Sequence, residues 1–143
     1  MISSCVEKTG RVLIINLERG EDLLKSIEGE LKKHGINDAI ITGAIGSLSK
    51  VVLHRVTGFE PTPVDEYVTL EKPIELASLQ GVVLDGHPHF HMVISDVKEA
   101  YTGHLHEGTT VLYLSEITLL ELVNPGLKRE PDSLGIAKLK AKT

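Results

Sequence analysis

Cysteine is almost missing from this chain: Cys5 is the one thiol among 143 residues. That excludes an intrachain disulfide and fits a reducing compartment. Tryptophan is absent and aromatics make up only 3%, so Val, Ile and Leu must do most of the packing. No apolar run is long enough to span a bilayer, and acidic Glu7 stands where a signal peptide would be basic. Positive charge is also in short supply, with 15 Lys and Arg against 20 Asp and Glu and a formal net charge of −5. A strongly basic nucleic-acid binder has the opposite balance. A cytoplasmic protein without a membrane partner is expected. A core is not lacking, because 41% of residues are hydrophobic, enough for a single domain of this length.

What is present alternates. The apolar run Arg11 to Leu17, between Gly10 and Gly20, reads as a buried strand. From Glu21 to His34 the period changes to that of a helix, with Leu23, Leu24, Ile27 and Leu31 on one face and Lys25, Glu28 and Lys32 on the other. Acidic Glu21 and Asp22 suit its amino end, Lys32 and Lys33 its carboxyl end, and Gly35 its termination. The stretch after Asn37-Asp38 reads as a strand interrupted by Gly43 and Gly46, and Val51 to Val56 as another. Val64 to Leu70 and Ile74 to Leu79 read as two strands divided by Pro73, and Thr110 to Leu122 as a long strand rich in β-branched residues. The fold class is therefore α+β, a mainly antiparallel β-sheet with one principal α-helix. Residues 1–123 form one domain. Residues 124–143 are a basic tail broken by Pro125, Gly126, Pro131 and Gly135, and a solvated, poorly ordered terminus is expected there. The tail has five Lys or Arg against two acids, +3, which leaves −8 on residues 1–123.

The chemistry concentrates between Leu84 and Gly108, where five of the seven histidines lie. His87, His89 and His91 alternate with Pro88, Phe90 and Met92, so a strand puts the imidazoles on one face and Phe90, Met92 and Ile94 in the core. An H-x-H pair reaches one metal ion from a single strand. A third ligand has to come from elsewhere, and His104, in the shorter unit His104-Leu-His106, is the nearest candidate. His87 and His106 are expected at the rim, and His54 reads as a structural or surface residue. Imidazole-rich coordination favours zinc. Since the ligand is the neutral ring, occupancy is expected to fall as pH drops through about 6.5. Gly43 to Ser47 lacks the Gly-Lys-Ser/Thr of a phosphate loop and reads as backbone geometry.

Gly20-Glu-Asp-Leu-Leu, the run from Gly35-Ile to Gly46-Ser47, Pro88-His-Phe-His91, and Gly103-His-Leu with Gly108 beyond carry a resemblance. Over about Arg11 to Leu122 the chain resembles the plant-and-prokaryote-conserved domain, whose prokaryotic members often carry a DNA-binding label. The resemblance implies a homotrimer and a fold similar to that of acetolactate decarboxylase, a zinc enzyme. That enzyme's H-x-H strand followed by Gly-Gly-His maps onto His89, His91 and His104, with Thr102 in place of the first glycine. Plant members hold AT-rich DNA through Arg-Gly-Arg-Pro hooks; this chain has none, and Lys128-Arg-Glu-Pro131 puts Glu130 where the groove disfavours charge.

The expected function is thus metal binding, zinc by preference, at His89, His91 and His104 of a homotrimer, with a small-molecule ligand at the metal. Two alternatives stand beside it. One is a zinc-dependent enzyme acting on a small oxygenated substrate, with Glu107, Asp85, Asp96 and Arg55 as candidate partners. The other is a DNA-binding regulator, disfavoured by the acidic charge.

Overall fold

Alternating burial organises the first strand, and every later strand is laid against it or its neighbours. The computed structural model describes residues 1–142. In β1 (Thr9–Glu18), Leu13, Ile15 and Leu17 face the core. Val12 and Ile14 stay 63% and 73% exposed, so this strand is covered on one side only and not buried on both as its apolar run suggested. Helix α1 (Leu23–Lys33) follows. The Asp22 carboxylate caps it by accepting from the Lys25 N–H at 3.0 Å, and its other oxygen accepts from the Gly108 N–H at 2.6 Å. Leu23, Ile27 and Leu31 are the buried stripe of the helix, as the 3.6 period requires.

Two strands are longer than the sequence suggested. β2 (Ala39–Val56) and β3 (Asp65–Leu84) each run without interruption through points read as breaks. Their antiparallel register pairs Leu48 with Ile74 and Lys50 with Glu71, so Lys72 and Pro73 together face Ser49. This is a β-bulge, and it accommodates Pro73 because the missing N–H falls where the ladder is already interrupted. A turn at Asp85 and Gly86, both at positive φ, leads into β4 (His87–Ser95). β5 (Ala100–Leu105) and β6 (Thr110–Leu122) complete the sheet.

The strand order is β1-β6-β2-β3-β4-β5, with every pairing antiparallel and β5 turning back to pair with β2 as well. The strands β2, β3, β4 and β5 therefore close on themselves. Phe90, Met92, Ile94, Leu53, Leu79 and Leu105 fill the interior at 2% exposure or less, and the alternate residues of the same strands point outward.

The tail differs from expectation. Residues β7 (Leu127–Pro131) and β8 (Ala137–Ala141) form a hairpin. Its turn is held by the Asp132 carboxylate, which accepts from the N–H groups of Leu134 and Ile136, and by Gly135 at φ +78°. The glycines and prolines read as breakers lie at its ends and turn. Lys142 anchors the hairpin to Asp85 at 2.8 Å. Among the described residues no helix is long and apolar enough to cross a membrane.

Candidate metal centre

The outward face of the closed strands carries the histidines. His91 on β4 lies directly across from His104 on β5, and His104 lies directly across from His54 on β2. A row of three imidazoles thus crosses three adjacent strands. His89 stands two residues along β4 from His91, and His106 two along from His104, so both rows share the outward face. Gly103 makes the crossing of β5 over β2 possible: a Cβ there would come within 2.7 Å of the His54 carbonyl oxygen. Gly81 does the same between β3 and β4, where a Cβ would come within 2.0 Å of the His89 carbonyl oxygen.

Ligand nitrogens of His89, His91 and His104 lie within 4.8 Å of one another. Their ring centroids are 5.1 to 5.3 Å apart. A tetrahedral zinc with Zn–N bonds of about 2.0–2.1 Å sets neighbouring nitrogens about 3.3 Å apart, so small side-chain rotations suffice. The donor set is neutral nitrogen throughout, which suits zinc or a related first-row ion and leaves a fourth position open.

His54 and His106, expected as bystanders, join the same surface. Nδ1 of His54 lies 2.6 Å from Nε2 of His106, a distance that needs one proton shared between them. The His54 ring stacks on His104 at 4.6 Å and 15°. His54, His104 and His106 form a second group whose ligand atoms lie within 4.8 Å of one another. Asp65 Oδ2 stands 3.9 Å from His54 Nε2. Local sequence pattern could not reveal His54, because it is joined to His104 by strand pairing across fifty residues. His87 is exposed at the turn opening β4.

Burial favours the neutral form of His89, His91, His104 and His106. Burial, then the neighbouring His54, His89, His106 and His91, push His104 down to about 3. Burial first, followed by nearby cationic groups, lowers His89, and burial with His54 lowers His91. His106 is lowered by burial first, with Asp65 opposing. The ligand-competent state of these four rings is therefore favoured below the ordinary histidine range. Arg129, on the tail hairpin, is one of the charges that lower His89.

The polar residues named as partners are engaged elsewhere. Glu107 pairs with Lys25 at 3.0 Å, Asp85 with Lys142, and Asp96 with Lys72. Arg55 pairs with Glu66 at 2.8 Å, yet it also lines a shallow pocket of about 240 Å³ with His54, His91, Thr102 and Gly103.

This β-rich fold is that of a known family. Residues 6–123 match the Plants and Prokaryotes Conserved (PCC) domain, and the chain belongs to that family. Among solved structures, a plant- and prokaryote-conserved protein from Pyrococcus horikoshii is similar at 30% identity and TM-score 0.83, over 100% of this chain and 99% of that one. A metal-containing protein from Archaeoglobus fulgidus is similar at 27% identity and TM-score 0.81, over 98% and 99%. A proposed DNA-binding protein from Bacteroides thetaiotaomicron, at 18% identity and TM-score 0.77 over 98% and 99%, shares the fold. No curated protein matches the chain.

Proposed function

We propose that this protein binds a metal ion, zinc by preference, through His89, His91 and His104, and that it works as a homotrimer with a small oxygenated ligand at the open position of the ion. The observation that carries the reading is the facing of His91 and His104 across one strand pair, with His89 beside them and all three ligand nitrogens within 4.8 Å. The metal-containing relative from Archaeoglobus fulgidus supports it. When bound, zinc supplies a Lewis-acidic position for water or a ligand oxygen. The chain's own part is to hold three neutral rings in register and keep them partly desolvated. Arg55 lines the pocket that also includes His91, and releasing Glu66 would free its positive charge for an anionic ligand group.

The DNA-binding reading, which the name of the Bacteroides relative raises, has less to support it. The four tail lysines are paired with acids: Lys128 and Lys140 with Glu130, Lys138 with Asp132, and Lys142 with Asp85. Phosphate binding would have to break those pairs on a chain of net charge −5.

The test is zinc content by mass spectrometry after loading and exhaustive dialysis. Wild type should retain one zinc per chain, His91→Ala should lose most of it, and His34→Ala and His54→Ala should keep it. Wild type retaining none, or His91→Ala retaining all, would refute the assignment.

A further inference from the structure

We infer that His54, His104 and His106 form a second position for the same ion, and that His104, common to both sets, lets the protein hold that ion in one position or the other but not in both. The inference rests on the proposed metal set only for the sharing of His104. Its basis is the register. His104 sits between His91 on one side and His54 on the other, and each side completes a group of three nitrogens within 4.8 Å. A neutral imidazole has one free lone pair for a metal. Turning the His104 ring presents that lone pair to His89 and His91 or to His54 and His106.

The two positions differ in what the ion must displace. On the first side His89 and His91 make no hydrogen bond to each other; their rings meet edge-on with centroids 5.2 Å apart. On the second side the 2.6 Å hydrogen bond between His54 and His106 occupies a lone pair. An ion entering there must break that hydrogen bond and shift its proton to the other nitrogen of the donor ring, so this position is the weaker one. The Asp65 carboxylate, 3.9 Å from His54 Nε2, favours a cation on that side and keeps the position from being negligible. The shared proton thus occupies the place that the cation would take.

The arrangement gives the ion a route. The pocket lined by His54, Arg55, Val56, His91, Thr102 and Gly103 opens onto one ligand of each set, His54 and His91. An ion entering by that pocket reaches either position, and it passes between them through the one ring that both use. Only His104 changes sets between the two states; the other rings make small rotations, and the hydrogen bond between His54 and His106 opens when the second position fills.

The test is equilibrium zinc titration, by calorimetry or by competition with a colorimetric chelator, on the full chain. Circular dichroism of every variant serves as the folding check, and the corresponding His→Gln variants stand in for any Ala variant that fails it. Wild type should saturate at one zinc per chain. His89→Ala/His91→Ala should still bind one zinc, weaker than wild type by about tenfold or more, the cost of one lost hydrogen bond; that weak ion leaves on dialysis. Adding His54→Ala to that double variant should abolish binding. His54→Ala/His106→Ala should bind one zinc through the first position alone, with an affinity no higher than that of wild type. Two zinc ions per wild-type chain would overturn the alternation. No binding by His89→Ala/His91→Ala, or binding that survives the added His54→Ala, would overturn the second position. Loss of zinc from His54→Ala/His106→Ala with retention in His89→Ala/His91→Ala would instead refute the proposed primary set, and with it the order of the two positions.

Discussion

Protons compete with metal for the same ring nitrogens, so the depth at which each histidine is buried sets how zinc affinity responds to acid. Three ordinary imidazoles with pKa near 6.5 would each cost about 25-fold in affinity between pH 7 and pH 5, and about 10⁴-fold together. His104 is pushed down to about 3 by burial and its neighbours, so across that window it stays neutral and adds almost nothing. The remaining loss is bounded by two ordinary rings, about 600-fold. His89 and His91 are both lowered as well, so the observed loss should fall below that bound. The sign is fixed: a depressed pKa in the folded protein moves proton competition to lower pH, and zinc is retained where exposed histidines would release it. The assay is equilibrium dialysis against buffered zinc at pH 7, 6 and 5, with metal read by mass spectrometry. A loss near 10⁴-fold would mean that the three rings titrate as if in water, and would refute the burial argument.

The other expectations follow from packing and charge. Gly103→Ala should lower stability by about 1–3 kcal/mol, because its Cβ would stand 2.7 Å from a backbone oxygen of β2 and 2.8 Å from Leu53 Cδ1; an unchanged thermal melt would contradict the close approach. Light scattering should find a trimer at micromolar concentration, since Val12 and Ile14 on β1 and Tyr113 on β6 are 63%, 73% and 68% exposed and need cover; a clean monomer would remove that reading. Affinity for AT-rich duplex should be weak and steeply salt-dependent, and deleting residues 125–143 should abolish what remains. Tight binding by the tail-less protein at high salt would argue for a DNA role.

The sequence announced most of what is local. The helix emerges where apolar spacing changes to 3.6, and β6 spans Thr110–Leu122 as its β-branched run suggested. The face shared by His89 and His91, opposite Phe90 and Met92, follows from a period of two. What was hidden is non-local. Pro73 looked like a strand end because only the partner strand, with Ser49 opposite two residues, reveals the bulge. The tail looked unstructured because Pro125, Gly126, Pro131 and Gly135 break it into short pieces, although the alternation Lys138-Leu-Lys-Ala-Lys142 was there to be seen. His54 carried no signal at all, since its place beside His104 is decided by where β5 lands on β2.

That landing gives the closed strands a second meaning. The side-chain period of a strand is two, so a slip of β5 by one residue against β2 would turn His104 inward and Leu105 outward at once. Leu105, 1% exposed, makes that slip costly, and the His106 N–H, which donates to the Val52 carbonyl at 3.0 Å, locks the correct setting. Apolar side chains inside the barrel thus act as the gauge for the imidazoles outside it. The imidazole row comes into alignment only when the first and last strands of the closed set have met, so a chain that has not finished folding has no such row to offer an ion.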